Sequence, residues 1–277
     1  MRVLPRLSVS IALVCLTLGG AATNAQPPPG FQRPVPRSPR ESAQLDITGY
    51  WVALVTEDWL WRMVTPQKGD VTSVPVNPRG RQAANEWDLE RDIANGEECR
   101  AYGAAGLLRL PLRLHVTWED DATLRIDTDA GEQTRLLHFA SDSAAPQEPT
   151  WQGNSIAAWT RAVGGFDLRM VFGSPNDVQQ GPIKASLKVV TEHLRPGYLR
   201  KNGVPYSEQT QLTEYFSTVQ AAGNEYLTVL TVVRDPVYLS GAFVTSSQFR
   251  KEADAAHWDP SPCHTAQPLP TTTAGGE

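Results

Sequence analysis

Short strand-like runs recur along most of the chain, and turn-forming residues separate them at fairly even spacing. This pattern is typical of an antiparallel β fold, because βαβ units place a helix between successive strands. Closure into a barrel removes exposed strand edges. We therefore predict an all-β, antiparallel barrel of roughly eight to ten strands with one or two short helices. The predicted runs are DITGYWVALVTED and WLWRMVTP as a first hairpin, then RLHVTWED, TLRIDTD, QTRLLHFA, DLRMVFG, SLKVVTEHLR, QLTEYFSTV, EYLTVLTVVRD and FVTSSQFRKE.

One helix is predicted between the early strands. Asn77 is a favourable N-cap residue and Pro78 a favourable first helical residue, so a helix is expected from Pro78 to about Gly96. Cys99 follows directly, and the helix is expected to cover one end of the barrel.

The two ends of the chain differ in composition from its middle. Residues 1–25 have the charged, apolar and small-residue regions of a secretory signal peptide, which predicts a periplasmic or secreted protein. Residues 26–45 are rich in proline and are predicted to be a linker, residues 46–263 a β-barrel domain, and residues 264–277 a disordered tail. No apolar stretch has the length of a membrane-spanning helix.

Two cysteines lie in the mature chain, Cys99 and Cys263. In an oxidising compartment such a pair is expected to form a disulfide. It would connect the end of the domain to its first third, with two buried thiols as the alternative.

The net charge is −5 and has no long runs of one sign. This distribution does not favour nucleic acid as a partner. Small molecules or proteins are the expected partners, and the sequence identifies no particular protein.

The segment that joins SLKVVTEHLR to QLTEYFSTV carries several side chains that hold or move protons. His193 is expected on the same strand face as Val189, from which it would meet Glu214 or Tyr215 on the next strand. The turn between the strands is expected to be an ordered loop at the barrel mouth. Further candidate residues from this segment are Arg195, Tyr198 and Tyr206.

A second cluster lies in the stretch TEDWLWRM. Trp59 and Trp61 would share one strand face and form a flat wall for an aromatic ligand, or they would simply build core. Asp58 or Arg62 beside this wall would act as an acid, a base or an anion anchor if desolvated.

Three histidines, His115, His138 and His193, fall on predicted strands. No short ligand spacing joins them, so we expect no metal site, and His115 is kept as a ligand-binding candidate. No signature of a hydrolase, kinase, metalloprotease or thioredoxin occurs, and no cofactor is predicted.

The stretch DITGYW resembles the Gly-x-Trp signature of lipocalins and other calycins, in which the tryptophan packs across the closed end of a barrel. The order of WRMVTPQKGD, GEECRAYGA, LRPGYLRKNGVPYS, DPVYL and WDPSPC is similar to that of a family of uncharacterised exported bacterial proteins. That resemblance covers about Asp46 to Cys263. It implies an exported barrel and no particular activity.

Three functions remain open from the sequence. The leading one is an exported binding protein for a hydrophobic, aromatic or polycyclic small molecule. The alternative is a cofactor-free lyase, isomerase or cyclase in which His193 is the base or acid and Tyr198 or Tyr206 polarises an oxygen, an analogy at the level of the fold. The third is a structural envelope protein that recognises a protein through its proline-rich arm.

Overall fold

The computed structural model of the chain describes residues 37–139, 148–161 and 185–268. All of them belong to one compact unit. The predicted signal peptide, most of the predicted linker, the run DLRMVFG and most of the predicted tail lie outside these residues.

Nine strands form a closed barrel, as the sequence predicted. Their order around the barrel is β1, β11, β10, β9, β6, β5, β4, β3 and β2, so the first strand pairs with both the second and the last. The barrel strands are β1 Gly49–Leu54, β2 Arg113–Trp118, β3 Thr123–Thr128, β4 Thr134–His138, β5 Asn154–Arg161, β6 Ala185–Glu192, β9 Gln211–Ala221, β10 Asn224–Arg234 and β11 Phe243–Glu252. A separate two-stranded sheet pairs β7 Gly197–Arg200 with β8 Val204–Tyr206.

Eight of the nine neighbouring pairs in the barrel are antiparallel. The exception is the parallel pair of β4 with β5, in which Leu137 lies opposite Ser155. The strand β5 was not among the predicted runs. Its Ala157 and Ala158 are weak strand formers, so the segment lacks the β-branched pattern that marks the other strands.

The predicted first hairpin is wrong. After β1 the chain turns at Asp58, whose φ of 50° lies in the left-handed region, and WLWRM forms helix α1 instead of a strand.

The single helix predicted from Pro78 is in fact two helices, separated around Trp87. The predicted start is confirmed, because Asn77 Oδ1 accepts a hydrogen bond from the backbone N–H of Gly80 at 2.9 Å. The helices in the described part of the chain are α1 Trp59–Met63, α2 Pro78–Asn85, α3 Leu89–Ala94, the 3₁₀ helix Glu98–Tyr102 and α4 Ala104–Leu107.

These helices and the β7–β8 sheet form a cap over one end of the barrel, which we call the cap end. They lie in the connections that follow β1 and β6. Apolar side chains of the cap form one buried cluster with the ends of three barrel strands, through Leu212, Val233 and Phe243. We call the opposite end, where β1 begins, the far end.

The middle of the barrel is filled with side chains. Trp51, Leu187, Phe216, Leu227 and Phe249 are all fully buried and belong to the main apolar cluster. Each of them lies on the inward face of its strand, because successive side chains of a strand point alternately to the two faces of the sheet. A long ligand along the barrel axis would have to displace this core.

A polar layer lies between the apolar core and the cap. Arg135 from β4 and Glu214 from β9 form an ion pair with both side chains fully buried, at 2.6 and 3.2 Å. The same guanidinium lies 3.4 Å from the hydroxyl of Thr191, which is itself 2.7 Å from the hydroxyl of Ser155. The pair therefore has further polar neighbours inside the barrel.

The predicted disulfide joins Cys99 of the 3₁₀ helix to Cys263, with the Cα atoms 5.2 Å apart. The hydroxyl of Tyr102 also donates to the backbone oxygen of His264 at 2.7 Å. The C-terminal segment is thus fixed to the cap by a covalent bond and by hydrogen bonding.

Within the described residues, no helix combines the length and the apolar character needed to cross a membrane.

Candidate functional site

The far end of the barrel contains a cleft of about 540 Å³. This volume lies within the range of about 300–1,000 Å³ that is usual for small-molecule pockets. Apolar and polar side chains both line this cleft. The apolar residues are Ala43, Leu45, Ile47, Trp118, Leu124 and Trp159.

Strand alternation explains how two indoles reach this cleft. Trp118 is two residues beyond the buried Val116 on β2, and Trp159 is two residues beyond the buried Ala157 on β5. Both therefore lie on the inward face of their strands at the barrel end, where they are only partly buried. Phe139 lies between them, with its ring centre 5.6 Å from that of Trp118 and 5.2 Å from that of Trp159.

The segment before β1 forms one side of the cleft. The indole N–H of Trp159 donates to the backbone oxygen of Pro39 at 3.0 Å, and Leu45 packs against the main core. Residues 37–45 were predicted to belong to a linker, yet they contact the barrel in this way. The contact orients one of the two indoles.

Polar groups lie at the rim of the cleft. Arg40 lies at the edge of the cleft, with its side chain about half exposed and 4.0 Å from the exposed Asp121. Asp46 accepts hydrogen bonds from the backbone N–H of Thr48 at 2.8 Å and from its hydroxyl at 2.7 Å. A cation, a carboxylate and a hydroxyl therefore stand beside the aromatic walls.

The two tyrosines predicted as catalytic are buried in the cap. The hydroxyl of Tyr198 donates to Asp92 at 2.7 Å, and the Arg100 guanidinium lies 4.4 Å from its ring centre. Burial, followed by the hydrogen bond to Asp92, raises the pKa of Tyr198. Tyr206 is 1% exposed, burial raises its pKa, and its hydroxyl has no hydrogen-bond partner among the described residues.

His193 does not share the inward face of Val189, and this part of the sequence analysis is wrong. The strand β6 ends at Glu192, and His193 has a φ of 57°, which turns the exposed side chain away from the barrel axis. Its predicted partners lie elsewhere, since Glu214 is bound to Arg135 and Tyr215 is opposite Lys188. Among the described residues, no hydrogen bond joins the His193 side chain to Tyr198 or Tyr206.

Arg195 is also exposed at the cap end. It donates to Glu97 at 2.7 Å, and its guanidinium lies 4.6 Å from the ring centre of Trp151. Two further candidates, His115 and Tyr215, lie on the outer face of the barrel. His115 stacks on Tyr50 with ring centres 4.1 Å apart.

Trp59 and Trp61 do not form a wall on a strand, because both belong to α1. The side chain of Trp59 is 66% exposed, whereas the indole N–H of Trp61 donates to Asp70 at 2.7 Å. Asp58 accepts from Arg109 at 2.6 Å. Arg62 is buried, and its Nε donates to the backbone oxygen of Arg109 at 2.8 Å.

The two far-end indoles, Trp118 and Trp159, were not among the predicted site residues. A signal was available for Trp118, because it continues the inward alternation of Leu114 and Val116 in the predicted run RLHVTWED. Trp159 lies on the strand that was not predicted. Over the described ranges, no group of three or more His, Cys, Asp and Glu side chains has an arrangement that would hold a metal ion.

The protein is thus a closed all-β barrel with a helical cap at one end and an aromatic cleft at the other. Comparison with known proteins found no matching family model and no significant match among curated proteins or solved structures.

Proposed function

We propose that this protein binds a small molecule with a flat apolar part in the cleft at the far end of the barrel. The observation that carries the proposal is the pair of inward-facing indoles, Trp118 and Trp159, in a cleft of about 540 Å³. Indole rings provide a large contact area at small conformational cost, and they bind aromatic rings by stacking or edge contacts. The proposed ligand class is the one expected from the sequence. The proposed binding site is different, because it lies at the far end and not beside Trp59 and Trp61.

The filled core supports a ligand at the barrel end rather than along the axis. Trp51 and Leu124 are fully buried below the cleft, so a ligand there would rest on packed side chains. It would lie against the cleft-facing sides of Trp118 and Trp159, with Arg40 or Asp46 available to a polar substituent. Apolar burial would then supply most of the affinity, and the rim would orient the ligand.

Export remains part of this proposal. The prediction rests on residues 1–25, and the Cys99–Cys263 disulfide is compatible with an oxidising compartment. An exported carrier would meet its ligand outside the cytoplasm.

No arrangement of the described side chains specifically favours the alternative lyase, isomerase or cyclase. Its predicted base, His193, is exposed at the cap end, while Tyr198 and Tyr206 are buried inside the cap. That function, and the protein-recognising envelope function, stay predictions from the sequence.

The test is a titration with the uncharged fluorophore N-phenyl-1-naphthylamine, together with mass spectrometry of small molecules that co-purify with the protein. We expect Trp118→Ala and Trp159→Ala each to weaken fluorophore binding at least about tenfold, the equivalent of about 1.4 kcal/mol. Trp59→Ala is the matched control, because this exposed indole lies at the cap end. Equal binding by the native protein and both cleft variants, with their folding verified by circular dichroism, would overturn the proposal.

A further inference from the structure

Two guanidinium groups in the cap are buried with terminal nitrogens that lack hydrogen-bond partners among the described residues. Arg62 is 3% exposed and Arg200 is 8% exposed. Both terminal nitrogens of each side chain lack a hydrogen-bond partner among the described residues. Burying a charged group without a partner is costly, so an arrangement with two such groups calls for a counterion or water.

Both groups line the same small cavity. Its volume is about 20 Å³, and Arg109 and Lys201 lie on its wall together with Trp61. Such a space holds about one water molecule or the head of a small anion. Four residues with cationic side chains therefore line one small space, and one of them, Arg109, already binds carboxylates.

The carboxylates nearby are already engaged. Glu57 and Asp58 both bind Arg109, at 2.8 and 2.6 Å. Asp70 accepts hydrogen bonds from the indole of Trp61 at 2.7 Å and from the backbone of Thr72 at 3.0 Å. Within the described ranges, no carboxylate forms a salt bridge with Arg62, Arg200 or Lys201.

Neighbouring groups hold the two guanidiniums in place. The Nε of Arg62 donates to a backbone oxygen, which leaves its two terminal nitrogens available to a ligand. Arg200 lies 5.5 Å from the ring centre of Trp61, whose own indole is fixed by Asp70. Burial, then the charge of Arg109, lowers the pKa of Arg62 to about 10, so the group is still charged at neutral pH.

We propose that this cavity is a binding site for one small oxyanion group, such as a phosphate, a sulfate or a carboxylate, held by Arg62 and Arg200 with Lys201 as a third positive charge. Guanidinium groups bind such oxyanions by paired, charge-assisted hydrogen bonds. The site lies in the cap, at the other end of the barrel from the aromatic cleft. It therefore does not depend on the proposed function.

The first experiment measures thermal unfolding and calorimetric binding with inorganic phosphate, sulfate and acetate, each compared with sodium chloride at equal ionic strength. A saturable rise in Tm of about 5–10 °C at a hundredfold excess over Kd is expected for at least one oxyanion, with a stoichiometry near one. Binding of phosphate or sulfate would identify a free inorganic anion, and binding of acetate alone would identify the head group of an organic acid. A rise no larger than that in chloride would overturn the proposal and leave water as the occupant.

Two variants identify the site within the chain. Arg62→Met and Arg200→Met should each abolish the saturable shift, whereas Arg250→Met, on the exposed face of β11, should retain it. Without an oxyanion, Arg200→Met should melt at or above the native Tm, because it removes a buried charge whose terminal nitrogens lack hydrogen-bond partners. With saturating oxyanion this order should reverse. Unchanged oxyanion binding in both variants would place the anion elsewhere and overturn the proposal.

Discussion

Arg135 and Glu214 join two strands that do not touch each other, because β5 and β6 lie between β4 and β9 in the barrel. The ion pair spans the interior directly below the cap, and both side chains are 0% exposed. A pair in this position fixes how two distant strands face each other. It also makes each partner dependent on the other.

The first prediction concerns this pair. Glu214→Gln should lower the free energy of unfolding by about 3–5 kcal/mol, because it leaves the Arg135 charge buried without its counterion. The double variant Arg135→Met, Glu214→Leu should recover most of this loss. Urea unfolding followed by circular dichroism measures both effects. Glu119→Gln, which removes an exposed partner of Arg125, is the control and should cost no more than about 1 kcal/mol. If Glu214→Gln and Glu119→Gln lowered the free energy of unfolding by similar amounts, the prediction that the buried pair is the more important one would be contradicted.

The second prediction concerns the packing of Tyr206. A Cβ atom added at Gly103 would overlap the Tyr206 hydroxyl oxygen, so Gly103→Ala should destabilise the protein by about 1–3 kcal/mol. Tyr206→Phe removes a hydroxyl without a partner and should cost less than about 1 kcal/mol or be stabilising. The two changes together should cost less than their sum. Gly241→Ala, where a Cβ meets nothing within 4 Å, should have little effect in the same unfolding assay. Simple additivity would show that the hydroxyl is not the obstacle.

The third prediction is a dependence of stability on pH at Asp235. This buried carboxylate accepts hydrogen bonds from the backbone of Ser207, the hydroxyl of Thr210 and the backbone N–H groups of Val237 and Tyr238. Burial alone would raise its pKa, but these hydrogen bonds together hold the pKa below its ordinary value of 3.8. The unfolded chain therefore takes up the proton first as the pH falls.

A depressed pKa stabilises the folded state above the unfolded pKa and loses that contribution as the pH falls through the folded value. Below about pH 4, until the pH falls through the depressed folded-state pKa, Asp235 should contribute a slope of at most about 1.4 kcal/mol per pH unit. Asp235→Asn should cost about 1–3 kcal/mol at pH 7 and should flatten this acid limb. Urea unfolding from pH 2 to pH 7 provides the measurement. If the free energy of unfolding of the variant fell with decreasing pH as steeply as that of the native protein, other carboxylates would be responsible for the pH dependence.

The fourth prediction concerns the Cys99–Cys263 disulfide, which closes a separation of 164 residues. The chain-entropy model assigns such a loop about 5 kcal/mol, and measured losses on removal of a native disulfide are typically about 2–5 kcal/mol. The double change Cys99→Ser, Cys263→Ser should lower the free energy of unfolding within this range. A reductant should destabilise the native protein and leave the double variant unchanged. A reductant effect of equal size on both proteins would show that another reaction is responsible.

The barrel was predictable because its strands repeat a strong local pattern. The runs that became β2, β3, β4 and β9 to β11 alternate apolar and polar residues, and alternation alone determines which face is buried. The strand β5 was missed because Ala157 and Ala158 carry little strand preference. Its parallel partner, β4, is determined by contacts across the barrel, which a local pattern does not contain.

The site residues were harder to predict than the strands. WLWRM fits a strand or a helix equally well by its hydrophobicity, and in the structure it forms a helix after the left-handed turn at Asp58. His193 continued the inward alternation of β6 only on the assumption that the strand continued to that residue. The small cavity in the cap is lined by Arg62 and Arg200, which come from segments far apart in the chain. No spacing in the sequence could therefore predict it.

The pairing of β1 with both β2 and β11 has a consequence for how the protein is made. Strand β1 is synthesised before β2 and can pair with it early, but its other neighbour, β11, is synthesised after all the other barrel strands. Until then one of its edges has no partner, and many of the contacts that close the barrel join residues distant in sequence, which slows folding. A chain that stopped before β11 would lack the strand that completes the structure, however well its earlier strands had paired.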